Sequence, residues 1–473
     1  MLNLYADSIT VQALDRIEGH KAVVLVGSYI GYSNFGDIIQ LKGAIEYHRQ
    51  RTGLKPILLC DLQAVTDKDF PQMLRDSFQV EAIVFFDDRC FDVAEFGLSL
   101  CRQLPSIDRL HVYGGGFLNR YWGGFKLRLI EGLLHRFSVK AYCLSGQQID
   151  PEFMNALRAF FDRYPPFMVG GRDRQSAELL EELGFEATFS FDDTAEIFAG
   201  WTARRPLLRE PSPRLLMHMN MSSYTDTGRH AIVEALVPTK DRYPEHLPTV
   251  IQAYSDRRYV VRDSLASIVH LEHEFPFAHY QVIDLARMAM AHDPRATDVD
   301  VALDGFLGGI GIVSSYHTAM FLNLLGTPCY MLSLNEYYQQ KRAGLGTAES
   351  LGAFLDDPVP VSFEAEIAAR RSWLDRLTRA FVATSTHPVF AFPEQGEGGA
   401  APVESPQPFA PKGDGFELAI QQAVQGQMAQ RAVEITSLIE RSQEQEKRLQ
   451  SLRSTWNYLR FRYQVARGRH EHG

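Results

Sequence analysis

The sequence predicts an α/β protein with two domains, each a parallel sheet covered by helices on both faces, and a helical tail behind them. Three observations predict this. Short, wholly apolar runs separated by amphipathic stretches recur from about residue 22 to 195, the pattern of strands buried on both faces. The same alternation restarts after the Pro- and Arg-rich segment RRPLLREPSPR at 204–214. At 473 residues the chain is also too long for one ordinary domain.

The first domain is expected over 1–203. Its strands are AVVLVG, PILLC, AIVFF, RLHVYGGG, KAYCLSG and FMVGG, with helical stretches at 36–50, 92–103 and 151–163. The second is expected over 204–392, with strands LLMHMN, TVIQAY, AHYQVID, GIGIVSS and PCYMLS and a closing helix at 362–382. Residues 393–415, PEQGEGGAAPVESPQPFAPKGDG, have too few apolar side chains to fold and read as a disordered linker. In the last segment, 416–473, Ile435, Leu438, Ser442, Gln445, Leu449, Leu452, Trp456, Leu459 and Tyr463 alternate spacings of three and four. That is a coiled-coil seam with two polar positions. It ends in the basic, aromatic RFRYQVARGRH, so three readings are open for it: homo-oligomerisation, peripheral contact with an anionic membrane surface, or a single solvated helix.

Composition excludes several classes. A formal charge of -10 offers no domain-wide basic surface for nucleic acid. Cys60, Cys90, Cys101, Cys143 and Cys329 are scattered, with no Cys-x-x-Cys and no histidine at zinc spacing, so they read as buried thiols in a reducing compartment. The opening residues contain acids and lack an apolar run, unlike a signal peptide, and no stretch reaches the roughly 20 apolar residues of a membrane span. A cytoplasmic protein is expected.

The unusual residues gather where strands end, which is where such sheets bind ligands. In GSYIGYSNFGD the glycines Gly27, Gly31 and Gly36 do not have dinucleotide spacing, and no Gly-Lys-Ser/Thr follows. What remains is a loop with Tyr29, Tyr32, Ser33 and Asn34 as polar contacts and Asp37 entering the helix, where an acid can equally be a cap. Gly115 and Gly116 in HVYGGGFLN permit close backbone approach to a ligand, or only a strained turn. Gln147 in LSGQQIDP closes a strand before the helix-opening Pro151. Arg172 in VGGRDRQ stands at a helix mouth, suited to an anion or to pairing with Asp173. FDDTAEIF puts two acids at a strand end, and an ordinary turn explains them as well. In GIVSSYHTAM, Ser314, Ser315 and His317 lie between strand and helix, and Lys341 follows. A histidine so placed suits a general acid.

Taken together, GSYIGYSNFGD, GGGFLN, GQQIDP, GGRDRQSAELLEELG and SSYHTAMFLNLLGTP with its following lysine resemble, in order, the motifs of the polysaccharide pyruvyl transferases over about residues 22–350. The resemblance implies two Rossmann-like domains in a GT-B-like arrangement. It implies transfer of a pyruvyl group from phosphoenolpyruvate, a co-substrate, to a nucleotide- or lipid-linked sugar acceptor, with no metal and no other cofactor. His317 would protonate the methylene carbon, Arg172 and Lys341 would hold the anionic donor, and Asn34 and Asp37 would orient the acceptor. Two positions depart from the family: Ser315 stands where it carries an arginine, and MHMNMSSY offers Asn220 and Ser222 in place of another. The rival readings are a GT-B glycosyltransferase using a nucleotide-sugar, and a catalytically silent relative acting in assembly through its tail.

Overall fold

The computed structural model describes residues 2–87, 93–203, 213–219, 229–255, 275–291, 306, 308–333 and 336–383. Cys90, Asn220, Ser222, most of the 204–214 segment, the 393–415 linker and the heptad segment therefore lie outside the described residues. Everything described belongs to one compact unit, Met1–Val424.

The first sheet is laid down by β1 (Asn3–Asp7), α1 (Ser8–Arg16), β2 (Ala22–Val26), β3 (Ser33–Asn34), α2 (Phe35–Tyr47), β4 (Lys55–Asp61), α3 (Phe70–Phe78), β5 (Ala82–Asp87), β6 (Leu98–Leu100), β7 (Arg109–Val112), β8 (Gly115–Leu118), α4 (Gly123–Arg136), β9 (Ala141–Ile149), α5 (Met154–Arg163), β10 (Met168–Gly171), α6 (Arg174–Glu182) and α7 (Ala195–Thr202). Its strand order is β10-β9-β7-β2-β4-β5-β1-β6, with β8 paired to β9, while the two-residue β3 stands outside the sheet. The six central strands are parallel and run outward in both directions from β2 and β7. That is the doubly wound order, with its topological switch point between β2 and β7. Every residue of β2 and β9 is buried, as apolar runs between two helical layers should be.

Two expectations change. The amphipathic spacing of 92–103 suggested a helix, but its described residues form a single tight turn, Ala94–Phe96, and the edge strand β6. Gly97, at φ 68°, ends the turn in a left-handed conformation that stops a helix. The strand β1 was not foreseen. It pairs antiparallel with both β5 and β6 and extends the sheet beyond its parallel core.

The second sheet follows with β11 (Arg214–His218), α8 (Arg229–Arg242), β12 (Leu247–Ile251), β13 (Tyr254–Ser255), β14 (Gln281–Ile283), α9 (Leu285–Met290), β15 (Ile310–Val313), α10 (Tyr316–Leu324), β16 (Cys329–Met331), α11 (Glu336–Leu345), α12 (Leu351–Asp356) and α13 (Glu364–Ala383). Its order is β14-β12-β11-β15-β16, all parallel, so the switch point lies between β11 and β15. There the Ser314 N–H donates to the His218 carbonyl at 3.0 Å.

The two lobes share one core. A single apolar cluster runs from Leu25, Phe35 and Ile38 to Leu216, Val313, Phe321 and Met331. Phe35 at the start of α2 packs on Phe321 of α10, with ring centroids 5.5 Å apart. β3 pairs antiparallel with β13, and the Phe35 N–H donates to the Ala253 carbonyl at 2.8 Å. The helix read at 362–382 is α13. Trp373, Leu374, Leu377 and Phe381 on it pack against Tyr47 and Cys143 of the first lobe. Cys60, Cys101, Cys143 and Cys329 are buried free thiols. Among the described residues no helix is long and apolar enough to cross a membrane.

Candidate active site

The site forms where the two switch points meet, and helix starts build it. Asn34 caps α2 by accepting the Gly36 N–H at 3.1 Å, and Ser315 caps α10 by accepting the Thr318 N–H at 3.3 Å. The two helix starts face each other so closely that a Cβ on Gly36 would lie 1.9 Å from His317 Nδ1. Only glycine fits there, because its Cα already packs against the Nδ1 edge of the ring.

The other ring nitrogen, Nε2, lies 3.3 Å from Asp192 Oδ2. Asp192 is fully buried in the turn before α7. Its Oδ1 accepts from the Thr194 N–H at 2.9 Å and Thr194 Oγ1 at 2.7 Å, and its Oδ2 accepts from Gln40 Nε2 at 3.1 Å. Gln40 is itself held by Ser28, whose hydroxyl donates to Oε1 at 2.6 Å. Burial alone would raise the Asp192 carboxyl. The His317 ring, the Arg172 guanidinium and the Thr194 N–H instead hold it well below the usual carboxylate range. Asp192 is thus an ionised, fixed acceptor that orients His317 from the opposite lobe.

Cations line the same space. Arg172 Nη1 lies 3.9 Å from Asp192 Oδ2, Nη2 donates to Gln148 Oε1, and the guanidinium carbon sits 4.1 Å from the centre of the Tyr316 ring. Arg172 is 1% exposed, and its Nε lies 3.9 Å from Asp173 Oδ2, an ion pair without a hydrogen bond. The Lys341 ammonium lies 4.0 Å from the Tyr337 ring centre. Burial, with Arg172 beside it, pushes that ammonium well below the ordinary lysine range, against the pull of Asp37 and Asp192. Lys126 donates to the Gly27 carbonyl at 2.7 Å, and burial pushes it down to about 8. Burial also pushes Asp37 upward, although the charges of His317, Lys126 and Lys341 oppose the rise. Arg172 has Asp192 and Asp173 as counter-ions, whereas burial outweighs the pull of Asp37 on Lys341 and Lys126, a cost that a bound anion would relieve.

The residues singled out in the sequence fall into three groups. Gly36, Asp37, Gly116, Arg172, His317 and Lys341 come together here. A Cβ on Gly116 would meet Tyr337 Oη at 2.7 Å and Gln148 Oε1 at 2.8 Å, and Tyr337 Oη donates to the Gly116 carbonyl at 2.9 Å. Asn34, Gly115, Ser314 and Ser315 hold the scaffold. Gly115 takes φ 146° beside Ser28, and the Ser314 hydroxyl donates to the His218 carbonyl at 3.2 Å. Gln147 spends its amide on the carbonyls of Val112 and Ser145, while its neighbour Gln148 meets Arg172. Asn220 lies outside the described residues.

Asp192, Gln40, Lys126 and Gln148 were not anticipated as site residues. FDDTAEIF marks Asp192 as one of two acids at a strand end, which an ordinary turn explains as well. Gln40 carried a weak signal, as a polar side chain inside the apolar run DIIQLKGA. Among the described residues no group of histidine, cysteine and carboxylate side chains is arranged to hold a metal ion.

No family model matches the chain, and no curated protein matches it in sequence. The solved structures similar to it include the UDP-GlcNAc 2-epimerase of Neisseria meningitidis bound to UDP-GlcNAc, at 8% identity over 76% of this chain and 99% of that one, with a TM-score of 0.44. They also include the UDP-GlcNAc 2-epimerase of Methanocaldococcus jannaschii, at 11% identity, 76% and 99% coverage and a TM-score of 0.39. A third is S. aureus MnaA in a co-structure with UDP, at 10% identity, 79% and 99% coverage and a TM-score of 0.39. The expectation of pyruvyl transfer is corrected accordingly: the structural neighbours are sugar-nucleotide epimerases, and no family model supports a pyruvyl transferase. On the wall where that reading needed an arginine, Ser315 caps α10.

Proposed function

We propose that this chain is an enzyme acting on a nucleotide-linked sugar, bound between two Rossmann-type lobes in a GT-B-like arrangement. The observation that carries the reading is the Asp192–His317 pair at 3.3 Å, formed across the two lobes with Arg172 beside it. Asp192 accepts the Nε2–H and fixes the ring. His317, held in this way, is the group that takes a proton from, or returns one to, the substrate. Asp37, whose carboxyl burial pushes upward, supplies a second proton-transfer group close by. Arg172, Lys341 and Lys126 form the anion-holding wall. The nucleotide part of the proposal rests on fold-level analogy, since paired switch points in doubly wound sheets are where nucleotides bind.

The test is incubation with a panel of UDP-, GDP- and CMP-sugars, followed by NMR of the sugar signals. One of them is expected to be converted, either to an altered sugar or with release of the nucleotide. A folded protein that converts none of the panel, alone or with sugar acceptors, contradicts the proposal.

A further inference from the structure

We propose that Arg370, which lies outside the site on the last described helix, is a positioning residue that holds Asp192 in register with His317. The inference rests on the acid–base reading above. Asp192 and Asp193 are adjacent, both buried, and serve opposite sides of one turn. Asp192 takes the site side. Asp193 takes the core side, where its Oδ2 accepts from the Gly114 N–H and from Ser145 Oγ at 2.8 Å, and its Oδ1 lies 2.9 Å from Arg370 Nη1.

Arg370 does more than neutralise Asp193. The same Nη1 donates to the Ser190 carbonyl at 3.2 Å, and Nε donates to Glu196 Oε2 in the first turn of α7. One rigid guanidinium therefore grips residues 190, 193 and 196, on both sides of Asp192. Arg370 is 1% exposed. Its helix follows the second sheet in the chain but packs on the first lobe, through Trp373, Leu377 and Phe381.

A second anchor meets Asp193 from the far side. A carboxylate can only accept, so Ser145 donates to it. Ser145 in turn accepts from His111 Nε2–H at 2.7 Å, and His111 Nδ1 accepts from His48 Nε2–H at 2.9 Å. The turn that carries Asp192 is thus held by a buried polar chain on one side and by α13 on the other.

Arg370→Lys keeps the charge but loses the fork. It is expected to lower kcat about 10- to 100-fold with KM within about threefold, because a small misplacement far from the chemistry costs rate more than binding. It is also expected to move the NMR signal of the His317 ring in the ligand-free protein, identified by its absence from a His317→Gln spectrum. Arg370→Met should lower kcat further. If that variant does not fold, Glu196→Gln, which weakens one grip without leaving a lone cation, should shift the same signal in the same direction. A lowered Tm with kcat and the His317 signal at wild-type values overturns the inference and leaves Arg370 a purely structural residue. The NMR arm needs no substrate. An unaffected turnover in His317→Ala would therefore overturn the acid–base reading, while the signal in Arg370→Lys still decides whether Arg370 sets the geometry of the turn.

Discussion

His317→Ala is expected to lower turnover about 10²- to 10⁴-fold, the range in which a positioned general acid–base group acts, while leaving the fold intact. The ring is only partly buried, with its side chain 12% exposed, and its one polar partner among the described residues is Asp192. Asp192→Asn tests the other half of the pair. Its amide cannot accept the Nε2–H through nitrogen, and a wrongly oriented amide would favour the other tautomer of His317. It should therefore lower kcat with little change in KM. Parallel loss of kcat in both variants, measured with whichever nucleotide-sugar the panel shows to be converted, identifies the pair as one unit. Full activity in His317→Ala removes it as the proton-transfer group.

The second large effect is on stability in acid. Burial pushes His111 and His218 each down to about 4, and pushes His48 lower than the usual histidine range as well, with His111 and Arg109 adding to the effect. In the unfolded chain the His111 and His218 rings bind protons near pH 6.5, which the folded chain refuses until about pH 4. Between those values the unfolded state holds more protons, so stability rises with pH and falls on acidification. At pH 5 the loss is roughly 2 kcal/mol for each of His111 and His218 relative to pH 7, from 1.36 kcal/mol per unit. Together they remove roughly 4 kcal/mol, a large share of a domain's net stability. Asp192, with its carboxyl held low, adds its loss only below the usual carboxylate range. Urea unfolding at pH 7 and pH 5 reads this directly. Equal stability at the two pH values contradicts it.

Much of the fold is legible because its physics is local. A run such as VVLV in β2 is apolar at successive positions, which only a strand covered on both faces tolerates. The helix starts are legible too, since Asn34, Asp173 and Ser315 are capping residues and do cap. The misread stretch at 92–103 shows the opposite case, where helical spacing is overridden by the left-handed Gly97 and by pairing with a strand that begins at residue 3.

The site is legible where glycine is obligatory. Gly36 and Gly116 sit under His317 and Tyr337, and their spacing after strands marks them. It is not legible where the choice depends on three-dimensional register. Gly146, at φ 60°, breaks the alternation of β9, so whether Gln147 or Gln148 reaches Arg172 does not follow from counting residues. Asp192 and Arg172 are separated by 20 positions, and their partner His317 comes from the other lobe. Their meeting is a property of the assembled sheets. Placement at strand ends and helix starts marks His317 and Arg172, while no family model supports the pyruvyl transfer that the resemblance implied.

In the proposed function the two lobes together hold the phosphates of a nucleotide-sugar against Arg172 and Lys341. Calorimetric titration of the converted nucleotide-sugar into the wild type, Arg172→Lys and Lys341→Met tests it most directly. The prediction is saturable one-to-one binding to the wild type, weakened about tenfold or more in each variant, as loss of one charge-assisted contact implies. Equal affinity in all three proteins would contradict it.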